Sequence, residues 1–141
     1  MKIAKLLLLF LIPAALLFMS CKNEVSVDFI IELDSEMPPD EALVNSIDYF
    51  KLTLFDLKYY VSDTIVNYIL DDEILYRGDI LRLENLDSGK YVLWVDPYQA
   101  GNDDRLAINT TVTSNKMTDD GYIIIDDESP TIVKIILKHQ P

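Results

Sequence analysis

Acidic side chains gather at four places in the chain: Asp71, Asp72 and Glu73; Asp103 and Asp104 after Asn102; Asp119 and Asp120; and Asp126, Asp127 and Glu128. Calcium takes roughly six to eight oxygen ligands at one point. Two of these clusters at the same end of a domain would supply them, with Asp71, Asp72, Asp103, Asp104, Asp126 and Asp127 as the candidate ligands. The spacing lacks the Asp-x-Asp-x-Asp-Gly run of an EF-hand. The plainer expectation is a set of solvated turns, with calcium as the one cofactor worth testing. Paired carboxylates can also cleave glycosidic bonds, but 24 acids guarantee some suitable pair, so that signal is empty. His139 lies in the tail beyond the last apolar run, and no Gly-x-Ser-x-Gly elbow marks a nucleophile. Four glycines build no phosphate cradle, and the expectation is a protein that is not an enzyme.

The aromatic residues carry a clearer signal. Tyr59, Tyr60, Tyr68, Tyr76, Tyr91, Trp94 and Tyr98 crowd the middle of the chain. Side chains alternate across an extended strand, so Tyr59 and Tyr60 must point to opposite faces. If exposed, Tyr59, Tyr60 and Trp94 would suit a glycan or protein partner. The competing expectation puts Trp94 in the core and the tyrosines at its rim with solvated hydroxyls.

Composition bounds what can position these groups. The 141 residues are 50% hydrophobic, enough for one packed domain. A formal charge of −12 argues against nucleic acid, whose phosphates need a basic surface. One cysteine excludes an internal disulfide and any Cys-based zinc site.

That cysteine has a telling position. Lys2 and Lys5 precede an uncharged apolar run from Leu6 to Phe18. The run is shorter than the roughly 20 residues that span a bilayer and has the form of a secretory signal. Phe18-Met19-Ser20-Cys21 then resembles the lipobox of bacterial lipoproteins, although Phe18 and Met19 are bulkier than its usual residues. The resemblance implies a signal peptide over 1–20, lipidation of Cys21, and a tether over 21–24. It also implies a place in the bacterial cell envelope, held to a membrane by the N-terminal lipid. Lys22 and Asn23 look compatible with outer-membrane sorting in such lipoproteins. Loss of Lys2 and Lys5 leaves 10 basic residues against 24 acidic ones, a charge of −14. Anionic headgroups repel such a body, so acyl chains must do the anchoring.

Residues 25–141 read as short strands. Val25, Val27, Phe29, Ile31 and Leu33 alternate with more polar neighbours, as in a half-buried strand. Pro39-Asp40-Glu41 opens a short helix in the loop that follows. Phe50, Leu52 and Leu54 share one strand face. Tyr59–Leu70 reads as a strand with a bulge at Ser62-Asp63, turning at the tip Asp71-Asp72-Glu73 into Ile74–Tyr76. Ile80–Leu86 is a strand, and Asp87-Ser88-Gly89 a turn with Gly89 at positive φ. Tyr91–Val95 is apolar on both faces, as in a central strand covered on both sides. Leu106–Thr113, Tyr122–Ile125 and Thr131–Leu137 complete a pattern of seven to nine strands. All-β, a single antiparallel sandwich, is the expected fold.

Two resemblances extend this expectation. Leu83-Glu84-Asn85-Leu86-Asp87-Ser88-Gly89-Lys90-Tyr91-Val92-Leu93 looks like the Asn-Leu-x-x-Gly-x-Tyr turn of transthyretin-like β-sandwiches. That family implies a transthyretin-like or immunoglobulin-like sandwich acting as a binding or structural module. It also brings in an assembly or anchor subunit of a surface fibre, with the last strand either donated to a neighbour or closing its own sheet. Leu57-Lys58-Tyr59-Tyr60-Val61-Ser62-Asp63 is similar to the Tyr-Tyr-x-Ser-Asn strand of MbnP-like periplasmic proteins, with Asp63 in place of Asn. This second resemblance implies metal or ligand handling, yet one His and four Met give no ligand set to carry over.

Overall fold

The computed structural model describes residues 25–33, 40–128 and 130–138. The expected signal peptide (1–20) and tether (21–24), with Cys21, and His139 lie outside the described residues. Chain order is β1 (Val25–Leu33), α1 (Glu41–Asn45), β2 (Tyr49–Asp56), a 3-10 turn (Leu57–Tyr59), β3 (Tyr60–Val61), β4 (Thr64–Ile65) and β5 (Leu70–Tyr76). β6 (Leu81–Leu86), β7 (Gly89–Tyr98), β8 (Asn109–Ser114), β9 (Ile123–Ile125) and β10 (Thr131–Lys138) follow.

Two four-stranded sheets pack face to face, in the orders β6-β1-β10-β8 and β5-β2-β7-β9. The strands β3 and β4 form a separate hairpin. Pairing is antiparallel except between β1 and β10, which run parallel with Val27 opposite Thr131. The last strand is therefore central in its own sheet, flanked by β1 and β8.

The core follows from period-two alternation. Val25, Val27 and Phe29 of β1 meet Phe50, Leu52 and Leu54 of β2, Leu93 and Val95 of β7, and Val133, Ile135 and Leu137 of β10. Each such side chain contributes about 1.5–3 kcal/mol by leaving water. The helix α1 starts where expected. Asp40 caps it, its carboxylate accepting from the amides of Ala42 at 2.8 Å and Leu43 at 3.3 Å.

Three expectations are corrected. Tyr59–Leu70 is not one strand: Ser62 and Asp63 both take positive φ, 50° and 61°, and close the tight β3–β4 hairpin. Asp71-Asp72-Glu73 is not a loop tip but part of the edge strand β5. There Asp72, at φ 53°, accompanies a register shift opposite Leu52 and Leu54. Exposed acids on an edge strand also discourage pairing with another chain. Gly89 does not take positive φ and already belongs to β7; the left-handed residue nearby is Asn85, at φ 59°, inside β6 where its register against β1 shifts.

Candidate functional site

The outer face of the second sheet collects the aromatic residues that the inner face has no room for. Inward alternates of β2 and β7 fill the core, so Tyr49, Lys51, Thr53 and Phe55 turn outward. Opposite them, in register, stand Tyr98, Asp96, Trp94 and Val92. Tyr76 of β5 pairs with Tyr49 from the other side.

Two aromatic groups result. Near one end of the face, Tyr49 stacks on Tyr98 with centroids 5.5 Å apart and planes 6° from parallel. Tyr76 meets Tyr49 at 6.2 Å, edge to face, and the Lys51 ammonium sits 4.7 Å from the Tyr98 ring centre. Further along, Phe55 is buried although it lies on the outer face. Trp94 meets it in a T-shaped contact with centroids 5.3 Å apart, and Tyr60, from the β3–β4 hairpin, lies tilted by 31° at 5.9 Å. Phe55 thus works as a pedestal. Trp94 is 50% exposed and Tyr60 42%, so Trp94 is not a core residue and β7 is not covered on both sides. Among the described residues, Tyr60 of the small hairpin reaches over this face and the indole stays half exposed.

Tyr59 closes the 3-10 turn and is not on a strand, so the alternation expected of Tyr59 and Tyr60 does not apply to it. It lines a cleft of about 290 Å³ at the end of the sandwich, with Asp56, Lys58, Asn67, Asn85 and Tyr91. Asp56 is buried there, accepts from the Lys58 amide at 3.0 Å and pairs with its ammonium at 2.6 Å. The hydrogen bond to Asp56 raises the pKa of Lys58. The Tyr91 hydroxyl donates to the Asp87 carbonyl at 2.6 Å, and burial pushes its pKa up to about 12. Among the described residues no buried side-chain polar atom lacks a hydrogen-bond partner.

A second groove, about 340 Å³, runs beside Trp94 and is lined also by Asp96, Arg105, Thr110 and Val112. Arg105 pairs with Asp96 at 2.5 Å, and the Thr110 hydroxyl donates to the Val95 carbonyl at 2.8 Å.

The acidic candidates are not brought together. Asp71 and Asp72 lie on β5, Asp103 and Asp104 in the loop after β7, and Asp126 and Asp127 just after β9. Ile125 pairs with Gly89 at the start of β7, whereas the Asp103 loop leaves its far end at Tyr98. Ten residues of strand put these two loops about 30 Å apart. Asp126 is engaged by Lys116, and that hydrogen bond lowers its pKa. Among the described residues no three His, Cys, Asp or Glu side chains form a group that could hold a metal ion.

Sequence reasoning missed Phe55 as pedestal, Asp56 as a buried carboxylate and the Asp96–Arg105 pair. A trace of the first two was present: Leu54-Phe55-Asp56 breaks the alternation of β2, and all three are buried.

No helix among the described residues is long and apolar enough to cross a membrane. No family model, curated protein or solved structure matches this chain.

Proposed function

We propose that this chain is a bacterial cell-envelope lipoprotein, anchored in the outer membrane through acylated Cys21. Residues 25–141 act as a non-catalytic binding module of the transthyretin-like or immunoglobulin-like sandwich type. The lipobox-like Phe18-Met19-Ser20-Cys21 supports the anchor. The observation that carries the binding role is the outer aromatic face, where buried Phe55 holds Trp94 and Tyr60 half in solvent. Rings fixed by other rings form a preorganised contact surface that loses little entropy on binding.

The anchor also orients the domain. Four residues from Cys21 to Val25 span at most about 14 Å, so the sandwich sits close to the lipid. Val25 pairs with Leu86, and β7 starts three residues later, so that end faces the membrane. Tyr49, Tyr76 and Tyr98 then lie at the far end, where a partner approaches without meeting headgroups.

The test is fractionation of cells producing the full chain, with mass spectrometry of its N-terminus. We expect a membrane-bound protein beginning at acylated Cys21, and release of the C21S variant into the soluble fraction. A native protein with an unmodified, uncleaved leader overturns the anchor.

A further inference from the structure

We infer that the groove beside Trp94 is a glycan-binding site that takes a neutral pyranose chain. The inference rests on the binding-module reading and names its ligand class. A pyranose ring has an apolar C–H face and a rim of hydroxyls. It is held by a flat aromatic face together with rigid donors and acceptors. Trp94 supplies the first. Its indole is half exposed and meets Phe55 in a T-shaped contact, with centroids 5.3 Å apart and planes at 75°, so the ring is fixed on one side while half of its surface stays open. Asp96 and Arg105 supply the second. The two are ion-paired at 2.5 Å and both line the groove, so carboxylate acceptor and guanidinium donors are held in place before the ligand arrives. The groove, about 340 Å³ and open along the sheet edge, has the small-ligand size that suits one or two sugar rings of a longer chain.

The competing occupant is a peptide strand added to the edge of β7, because β9 pairs only with Gly89–Tyr91. Geometry disfavours it. Phe50 stands opposite Pro97, which has no amide, so the backbone groups of Pro97 point away from β2. By alternation those of Val95 and Leu93 point the same way. Along that edge the Pro97 carbonyl already accepts from the Leu106 amide at 2.8 Å and the Val95 carbonyl from Thr110 at 2.8 Å. Strand addition needs a run of free amides and carbonyls, and this edge is interrupted at both residues. Charge selects within the glycans: a domain of charge −14 repels anionic polysaccharides and leaves neutral ones.

Trp94 is the sole tryptophan, so its emission reports on the site directly. Full-length protein in a polyoxyethylene detergent, which carries no sugar, is titrated with cellohexaose, xylohexaose, chitohexaose and maltohexaose. Oligogalacturonate serves as the anionic arm and a 15-residue peptide library as the protein arm. We expect at least one neutral hexaose to shift Trp94 emission to the blue and to give a calorimetric isotherm. Trp94→Ala should weaken that isotherm by about tenfold or more, Trp94→Phe should restore part of it, and Arg105→Ala should cost about tenfold. Circular dichroism of each variant checks the fold, and the half-exposed Arg105 gives a second variant should Trp94→Ala misfold. Binding of none of the neutral hexaoses overturns the inference. So does binding only to oligogalacturonate or to peptides, or equal binding by Trp94→Ala and wild type. Membrane fractionation is scored separately, so a failed sugar arm leaves the anchor standing.

Discussion

Replacing Phe55 by Ala separates a pedestal from an ordinary surface ring. A phenylalanine emptied from a closed core costs about 3–5 kcal/mol, because the surroundings collapse only in part. Phe55 is 2% exposed, yet its roof is two half-exposed rings, Trp94 and Tyr60, which can settle into the vacated space. The expected loss therefore falls at or just below that range, about 2–3 kcal/mol, or a fall in Tm of about 8–12 °C for a domain of this size. Urea denaturation followed through Trp94 emission measures the loss, and the native baseline of the same trace reports the site. That baseline should move to the red as the indole loses its contact with Phe55 and gains water. Phe55→Leu, which keeps most of the volume, should lose about 1 kcal/mol with a smaller shift. A Phe55→Ala protein within about 0.5 kcal/mol of wild type, with unchanged emission, would refute the pedestal, since surface substitutions fall in that range.

Three further outcomes test other parts of the molecule. The Tyr91 phenol is raised to about 12, above the ordinary value near 10, so its neutral form is the folded one. Its contribution is complete below about pH 10 and drains away as pH rises toward 12. Tyrosine absorbance at 295 nm should show one late-titrating group, and Tyr91→Phe should flatten alkaline unfolding. Asp28 is held below its ordinary range by the Arg82 guanidinium, at 2.7 and 2.8 Å, so its contribution is present above about pH 4 and fades below it. Asp28→Asn should flatten acid unfolding, and salt should weaken the difference. Ser62→Asn with Asp63→Gly installs the sequence a two-residue turn with both φ positive favours. Relief of the left-handed backbone, partly offset by the freedom that glycine gives the unfolded chain, should stabilise the domain by about 0.5–1 kcal/mol in the same urea assay.

What the sequence shows of this fold is what alternation encodes. β1 and β10 stand within a residue of the periodic runs because one face of each is buried and the other wet. The stretch from Tyr59 to Leu70 fails the same reading for a physical reason. Its Tyr, Val, Ile and Thr have strand propensity, but propensity measures fit to a half-buried surface. Here only a two-stranded flap exists, fixed by left-handed Ser62 and Asp63. Ser and Asp mark an interruption there, but neither residue is glycine, so the pair reads as a bulge within one strand and not as a turn between two. Gly89 misleads in the opposite sense. It sits where a turn glycine is expected, yet Asn85 takes the left-handed bend. A Cβ on Gly89 would lie 3.4 Å from a carboxylate oxygen of buried Asp56.

The aromatic site was legible in composition and illegible in geometry. Apolar residues at both Val92 and Trp94 describe a strand that needs cover on its outer face, and in a two-layer sandwich no third layer is available. The chain meets that need locally: Phe55, one strand over, takes the buried position, and the β3–β4 hairpin folds back to bring Tyr60 onto it. Half of the indole is left over. An apolar ring left exposed at that point adds nothing to the core, while Asp96 and Arg105, two and eleven positions later in sequence, arrive beside it from a strand and a loop. A stability-driven sequence would place Thr or Lys at 94, as it does at the neighbouring outward positions Thr53 and Lys51. Trp94→Thr, followed in urea by circular dichroism because it removes the sole tryptophan, should therefore cost no more than about 1.5 kcal/mol, the worth of the ring contact with Phe55. It should weaken the calorimetric sugar isotherm by about tenfold or more, as Trp94→Ala does. A large loss of stability from that substitution would show that the indole holds the sheet together, and that its exposure is a by-product of packing.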